Sequence, residues 1–302
     1  MQFYLPIAEI SINGFLPICL GLLVGFLSGL FGVGGGFLMT PLLIFSGIPP
    51  AVAVGTQANQ LVAASASGFW TYWKQKRVDF KMGSYLMLGG LVGSFIGVML
   101  FSLLQYLGQI DFVISLAYVL LLGGIGGYML KESLTFMRHE KRKLGRGKLR
   151  QYKWVRSLPY RTRFPESKMY ISALVPAGLG FITGIAVSIM GIGGGFIMAP
   201  VMIYLLGMPT MIVPGTNLFQ ITIVMAFTTL IHAVQNHTVD LLLAVILLLG
   251  SVMGAQVGSQ VGLKVKSEYL RLMLALVVMA LCIKMFFELT ATPDEIFQVV
   301  IR

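Results

Sequence analysis

Charged residues are scarce in this chain. Lys, Arg, Asp and Glu make up 11% of the 302 residues, whereas 57% are hydrophobic and the mean hydropathy is +0.86. A soluble domain uses about a quarter of its residues as charged ones. Apolar stretches near twenty residues long recur along the chain, and a helix of about that length crosses a bilayer. The composition therefore predicts an all-α polytopic membrane protein.

Cysteine and histidine are also rare, which bears on enzymatic chemistry. The two cysteines, Cys19 and Cys282, both lie in apolar segments, so neither a disulfide framework nor metal-ligand spacing is present. Three histidines and almost no acids within the apolar segments provide no nucleophile with a base beside it. The sequence also has no ATP-binding motif. These features predict a protein that is not an enzyme and that uses no metal and no cofactor.

Positive charge is concentrated in one part of the chain. The net charge is +11, and 13 of the 22 Lys and Arg residues fall between Lys131 and Lys168. Such a run binds nucleic acid in some proteins, but in a membrane protein it is typical of a cytoplasmic loop. Its aromatic residues, Tyr152, Trp154 and Tyr160, suit contact with anionic lipid headgroups. The predicted organisation is a first membrane repeat, a basic cytoplasmic linker and a second membrane repeat, at residues 1–131, 132–169 and 170–302.

The two halves of the chain repeat each other. GVGGGFLMTPLLIFSGIPPAVAVGTQANQ begins at Gly32, and GIGGGFIMAPVMIYLLGMPTMIVPGTNLFQ begins at Gly191 with one residue inserted. Farther along, Val78-Asp79 matches Val239-Asp240. Agreement over this length indicates an internal duplication, a common feature of secondary transporters.

Each half contains five apolar segments, of which the second is unusually short. Its ten or eleven residues would form a helix of about 15 Å, half of a hydrocarbon core of about 30 Å. We therefore expect a half-helix after each GxGGG motif. The segments are 16–31, 37–46, 50–73, 82–104 and 110–130 in the first half, and 171–190, 196–206, 210–234, 241–263 and 269–288 in the second.

The charges of the loops predict how the halves are oriented. In the first half, the loop between the third and fourth segments is basic, and the next loop, QYLGQID, has no Lys or Arg. The second half reverses this order, because QNHTVD has neither and the basic residues follow the fourth segment. Under the positive-inside rule, the reversal predicts two inverted repeats. The first two segments of each repeat would enter the membrane and return, bringing both glycine motifs near its midplane.

The glycine motifs are candidate anion sites. The first N–H groups of a helix have no partner within it, and its N-terminus carries about half a positive charge. Glycine lets the backbone approach a ligand closely, so such a tip can bind an anion without a buried cation. Close helix packing through small residues is the alternative role. The candidate residues are Gly34, Gly35 and Gly36 in the first repeat and Gly193, Gly194 and Gly195 in the second.

Polar residues follow each half-helix in the stretches GTQANQ and GTNLFQ. Their amides and hydroxyls can donate hydrogen bonds to sulfonate or sulfite oxygens, and hydrogen bonding between helices is the alternative role. Two repeated acids, Asp79 and Asp240, fit either helix N-caps or proton coupling. The further candidates for substrate binding are Thr56, Gln57, Asn59, Gln60, Thr216, Asn217 and Gln220.

These motifs resemble those of the TauE/SafE sulfite exporter family, also called the toluene sulfonate uptake permease group. The resemblance rests on GLFGVGGGFLMTPLL with GTQANQ, repeated as SIMGIGGGFIMAPVM with GTNLFQ. It implies a transporter of the bacterial inner membrane for sulfite, sulfoacetate or other organosulfonates. The long basic linker departs from a minimal member of the family.

The sequence thus favours a secondary transporter for a small sulfur-containing anion that works by alternating access. Two alternatives stay open: transport of another small anion such as a carboxylate, and a membrane scaffold or receptor without transport. The expected partners are the small anion and anionic lipids, with no nucleic acid. Glycine-rich helices permit tight packing within one chain or between two, so a homodimer also stays open.

Overall fold

The computed structural model describes residues 2–8, 10–31, 35–138, 160–167, 169–209, 211–236, 238–262 and 267–290. Their architecture confirms an all-α polytopic membrane protein, with two small β-hairpins added. The first repeat has β1 (Gln2–Leu5), β2 (Ile10–Asn13), α1 (Phe15–Phe31), α2 (Gly36–Phe45), α3 (Pro50–Lys74), α4 (Phe80–Tyr106) and α5 (Ile110–Arg138). The second has β3 (Arg161–Phe164), β4 (Met169–Ser172), α6 (Leu174–Met190), α7 (Gly195–Pro200), α8 (Val213–Ile231), α9 (Leu241–Gly262) and α10 (Ser267–Thr290).

Several helices have the length and composition of membrane spans. Four described segments qualify: α4, most of α5, α8 together with the helical turn that follows it, and most of α9. Large apolar side chains on the outer faces, such as Leu120 (67% exposed), Leu230 (65%) and Met253 (63%), would contact lipid. The helices after the glycine motifs are short: α2 has 10 residues, and α7 has 6 before it continues as a π-helical turn.

Two π-helical turns account for extra residues in the second repeat. The interval from Gly195 to Pro209 is one residue longer than that from Gly36 to Pro49, and it contains the π-helical turn Val201–Leu206. A second extra residue lies between the start of α8 and Asp240, where the π-helical turn His232–Asn236 extends the helix. Because i→i+5 bonding takes up one residue more per turn, the helix ends keep matching places in both repeats.

Equivalent helices of the two repeats run in opposite directions. A Cβ added to Gly55, near the start of α3, would lie 2.6 Å from Thr238 Oγ1, beyond the end of α8. Near the start of α8, a Cβ on Gly215 would meet Arg77 O, beyond the end of α3. The start of each helix therefore lies beside the end of its counterpart. This antiparallel pair is what the predicted inverted repeat requires.

The repeats also interlock through glycine-lined contacts. Helix α1 packs along α9, and α4 packs along α6, so the first helix of each repeat lies on the fourth helix of the other. A Cβ on Gly21 would lie 2.7 Å from Leu247 O, and one on Gly93 would overlap the Phe181 backbone. Small residues thus let the helix backbones approach closely. Neither repeat can be separated from the other without exposing these faces.

Each repeat begins with a β-hairpin that the sequence patterns did not reveal. The strands β1 and β2 pair in antiparallel register, as do β3 and β4. Side chains such as Leu5, Phe164 and Ile171 are fully buried, so both hairpins pack into the bundle. The predicted linker, 132–169, is too long at both ends, because residues 132–138 belong to α5 and residues 161–167 and 169 belong to the second hairpin. Strands of four residues give too short an alternation to be distinguished from loop sequence.

Candidate functional site

The two glycine motifs meet in the middle of the bundle. The rings of Phe37 and Phe196, the second residues of α2 and α7, stack with centroids 4.3 Å apart. A Cβ on Gly36 would lie 2.5 Å from Ile192 O in the opposite motif. The structure therefore brings the N-terminal tips of both short helices together, as expected from the inverted repeat.

The described backbone of the second motif needs glycine at several positions. Gly191, Gly193 and Gly194 have φ of +69°, +76° and +68°, a region that other residues adopt with strain. Gly35, in the first motif, has an ordinary φ of −73°. Gly34, which the sequence also nominates, lies outside the described residues.

The tips of α2 and α7 leave backbone donors without partners inside the helix. Bonding within α2 starts with donation from Leu38 N and Met39 N to Gly35 O, and in α7 with donation from Met198 N to Gly194 O. In α7 the N–H groups before Met198, those of Gly195, Phe196 and Ile197, make no such bond among the described residues. Together with the positive end of the helix dipole, these N–H groups form a setting suited to oxyanions.

In the first repeat, a buried amide clamps the tip of α2 to α3. Gln57 donates from Nε2 to Gly36 O, and its Oε1 accepts a hydrogen bond from Thr40 Oγ1. Gln57 and Thr40 are both fully buried. Because both ends of this amide are engaged inside the protein, Gln57 positions the tip.

In the second repeat, the equivalent amide is only half engaged. Asn217 donates from Nδ2 to Gly195 O at 3.4 Å. Its Oδ1 is buried and has no hydrogen-bond partner among the described residues. The reason lies in the sequence, because Ala199 stands where the first repeat has Thr40 and has no hydroxyl to donate.

Two further buried amides on the same helices have an oxygen without a partner among the described residues. Gln60 and Gln220 are each 4% exposed, and the Oε1 atom of each has no hydrogen-bond partner among the described residues. A Cβ on Gly90 would lie 3.4 Å from Gln220 Nε2, so this side chain faces α4. Unpaired buried amides are costly, which makes them candidates for contact with a ligand. Asn59 is half-buried.

Comparison with known proteins identifies the family. The family model described as sulfite exporter TauE/SafE matches residues 17–285. The chain belongs to the TauE/SafE sulfite exporter family. This is a family of transporters, so the protein is a membrane transporter and not an enzyme.

Relatives of this TauE/SafE protein carry matching names. It is 33% identical over 238 residues to the probable membrane transporter protein YjnA of Bacillus subtilis (strain 168), covering 78% of this chain and 85% of that one. It is 25% identical over 283 residues to the probable membrane transporter protein YunE of the same organism, covering 90% and 96%. It is 28% identical over 113 residues to sulfite exporter TauE/SafE family protein 3 of Arabidopsis thaliana, covering 35% and 24%. No solved structure matches the chain.

The repeated acids of this TauE/SafE protein bind backbone and hydroxyl groups at the ends of the bundle. Asp79 caps α4 by accepting from Met82 N at 2.9 Å. Its own N–H donates to Thr216 Oγ1 at 2.9 Å, and its Oδ2 accepts from Ser167 N (3.1 Å) and Oγ (2.5 Å). We call this arrangement the Asp79 clasp, because it joins α4, α8 and the turn of the second hairpin.

A matching Asp240 clasp joins α9, α3 and the turn of the first hairpin. Asp240 accepts from Leu243 N at 3.1 Å and from Ile7 N at 3.3 Å, and its N–H donates to Thr56 Oγ1 at 3.0 Å. The structure therefore shows both acids as helix N-caps, and proton coupling stays an untested prediction. The hydroxyls of Thr56 and Thr216 accept at the two clasps.

A buried histidine was not singled out as a site by the sequence. His232 Nε2 lies 3.0 Å from Ser188 O, and its Nδ1 lies 3.0 Å from Asn236 Nδ2. The Phe101 ring packs edge-on against the imidazole, with the ring centroids 4.6 Å apart. With an acceptor on one side and an amide donor on the other, these contacts hold one neutral tautomer. Its apolar sequence context gave no signal for this network.

Proposed function

We propose that this TauE/SafE protein is a secondary transporter that carries a small sulfur-containing anion, sulfite or an organosulfonate, across the bacterial inner membrane. The observation that carries the proposal is the meeting of two glycine-rich helix tips, shown by the stacking of Phe37 on Phe196 at 4.3 Å. Paired broken helices at matching places in two inverted repeats are the usual location of a transporter's substrate site.

The proposed binding groups are backbone N–H groups and buried amides. The tips at Gly35 and Gly36 and at Gly193, Gly194 and Gly195 would bind the oxyanion. The side chains of Gln60, Asn217 and Gln220 would complete the site, since each has a buried oxygen, without a partner among the described residues, that can accept a hydrogen bond from a protonated group of the substrate. The other candidates have different roles. Gln57 holds the first tip in place, Thr56 and Thr216 belong to the clasps, and Asn59 would lie at the margin of the site.

Alternating access would follow from movement of the interlocked helices about the paired tips. The Asp79 and Asp240 clasps lie at opposite ends of the antiparallel pair α3 and α8. Releasing one clasp at a time would expose the central site to one side of the membrane and then to the other.

The proposed orientation places the basic linker in the cytoplasm. Helix α5 leads directly into the linker, and the positive-inside rule favours that side for its charges. Residues 139–159 of the linker lie outside the described residues. Contact of the linker with anionic lipid, and a homodimer, remain predictions from the sequence.

A binding and transport experiment tests the proposal. Purified protein is titrated with sulfite, ethanesulfonate, sulfate and acetate by calorimetry, and uptake of the bound anions is measured in proteoliposomes. Gly194→Leu should abolish binding, because the new side chain meets Val187 and forces a strained φ at the tip. Gly127→Leu is the matched control, since a Cβ there meets nothing within 4 Å.

The outcomes separate the candidate functions. Saturable binding of a sulfur anion that is lost in Gly194→Leu and retained in Gly127→Leu supports the proposal. Binding of acetate in preference to sulfur anions would assign a carboxylate transporter. Binding unaffected by Gly194→Leu, from folded protein, would contradict a site at the glycine tips.

A further inference from the structure

The two helix tips have different hydrogen-bonding capacities. In the first repeat, Gln57 Nε2 donates to Gly36 O and Gln57 Oε1 accepts from Thr40 Oγ1. Both the nitrogen and the oxygen of this amide therefore have a partner. In the second repeat, Ala199 replaces this threonine and Asn217 Oδ1 remains without a partner among the described residues. The amide at the first tip is therefore bonded at both ends, whereas the amide at the second tip has an oxygen without a partner among the described residues.

The orientation of the Asn217 amide follows from its neighbour. Gly195 O can only accept a hydrogen bond, so the NH₂ group of Asn217 faces it and the oxygen is left over. The residue is 5% exposed, which deprives this oxygen of bulk water. Gln220, three residues farther along α8 and therefore on the same face, also has a buried oxygen without a partner there.

We propose that Asn217 Oδ1, assisted by Gln220, accepts a hydrogen bond from the substrate, so that the second repeat selects sulfur oxyanions that also carry a donor. The donor would be the protonated oxygen of hydrogensulfite, or the hydroxyl or ammonium group of a substituted alkanesulfonate. This inference rests on the proposed function, because the N–H groups of the tips would bind the anionic oxygens. A substrate without a donor leaves the acceptor buried and unpaired, and sites of this kind reject such analogues strongly.

Three sulfonates of similar size test the inference. Ethanesulfonate, 2-hydroxyethanesulfonate and 2-aminoethanesulfonate share the two-carbon sulfonate skeleton and differ in the substituent on the second carbon, which is hydrogen, hydroxyl or ammonium. Calorimetry on the purified full-length chain should show that at least one of the two donor-bearing compounds binds about tenfold or more tightly than ethanesulfonate. Sulfite is titrated in parallel in acid and in alkaline buffer. We expect hydrogensulfite, the protonated form favoured in acid buffer, to bind more tightly than sulfite.

The decisive variant gives the second repeat the same clamp that the first repeat has. Ala199→Thr combined with Asn217→Gln supplies an internal donor and the longer amide, so the preference for donor-bearing ligands over ethanesulfonate should be lost. Ala199→Thr alone is the second variant, in case the double substitution prevents folding. Ala199→Val adds the same bulk without a hydroxyl and should keep the preference. Thr40→Ala, the reciprocal change in the first repeat, should also keep it.

The outcomes are distinguishable from failure of the proposed function. Equal affinity for all three sulfonates and for both forms of sulfite, or a preference that survives in the folded clamp variants, overturns the inference and leaves the anion site standing. No binding of any sulfonate or of sulfite overturns both. Loss of the preference in Ala199→Val would also overturn the inference, because bulk alone would then explain it.

Discussion

At the scale of single residues, neighbouring amides on one helix have different roles. Gln57 is held by Thr40 and Gly36, whereas Gln60, three residues later, is buried with an oxygen that lacks a partner among the described residues. A buried amide that is fully bonded contributes to stability, and one that is not bonded reduces it. Stability and ligand affinity should therefore respond in opposite ways to the same substitution at these positions.

Replacing each glutamine by leucine tests this difference. Gln57→Leu should destabilise the apoprotein by about 1–3 kcal/mol, because it leaves Gly36 O and Thr40 unpaired. Gln60→Leu should leave the stability of the apoprotein unchanged or raised, and should weaken anion binding by about 1–3 kcal/mol. Thermal unfolding with and without sulfite measures both effects. Equal losses of stability would contradict the assignment of roles.

At the scale of helices and hairpins, glycine contacts set how closely the elements pack. A Cβ on Gly93 in α4 would overlap the Phe181 backbone in α6, whereas a Cβ on Gly124 in α5 would meet nothing within 4 Å. Alanine forms helices more readily than glycine. The same Gly→Ala change should therefore have opposite signs at the two positions.

Thermal unfolding of these two variants checks the prediction. Gly93→Ala should lower the unfolding temperature, because α4 and α6 must separate to accommodate the methyl group. Gly124→Ala should raise stability by up to about 1 kcal/mol through helix propensity. A stabilised Gly93→Ala variant would show that the close contact between α4 and α6 does not limit packing.

The clasps join elements of both repeats, and they are unequal. Asp79 Oδ2 accepts from both the backbone and the hydroxyl of Ser167. Ala8 occupies the position of Ser167 in the first hairpin, and Asp240 Oδ2 accepts from Ile7 N there. If the clasps close the two ends of the transporter, the Asp79 end is held more tightly.

Exchanging these two hairpin residues should shift the balance between the ends. Ser167→Ala weakens the Asp79 clasp and Ala8→Ser can strengthen the Asp240 clasp, so both should favour opening at the Asp79 end. Reactivity of a cysteine introduced at Met82, a fully buried side chain in the first turn of α4 at that clasp, measures opening in a background without native cysteines. Reactivity unchanged in both variants would show that the clasps only cap helices.

At the scale of the whole molecule, inversion places equivalent loops on opposite sides of the membrane. Gln75, after α3, and Gln235, after α8, are both exposed at the ends of an antiparallel pair of helices. Basic residues surround Gln75, and the loop of Gln235 has none. The positive-inside rule therefore assigns Gln75 to the cytoplasm.

Labelling with a membrane-impermeant thiol reagent tests this topology. In a background without Cys19 and Cys282, Gln235→Cys should react in intact cells, whereas Gln75→Cys should react only in inverted membrane vesicles. Lysis of the cells should make both sites reactive and serves as the control for accessibility. Reaction of both sites from the same face would rule out the inverted repeat.

Much of the fold was predictable because its signals are local in the chain. Hydropathy marked the apolar segments, the duplication showed the repeats, and the spacing after each GxGGG motif indicated the short helices α2 and α7. The hairpins were not predictable, since four-residue strands carry too little periodicity. For the candidate site, the sequence nominated Gln57, Gln60, Asn217 and Gln220 together, but it could not rank them.

The sequence by itself determined the membrane class, the two repeats and the family, because these depend on composition and on order along the chain. Only the tertiary structure decided which polar groups are engaged and which are left free. Asp240 meets Thr56 across 184 residues, and Ser188 meets His232 across 44. These hydrogen-bond partners meet only when the interlocked helices pack together. That packing depends on the three-dimensional surfaces of all the helices at once.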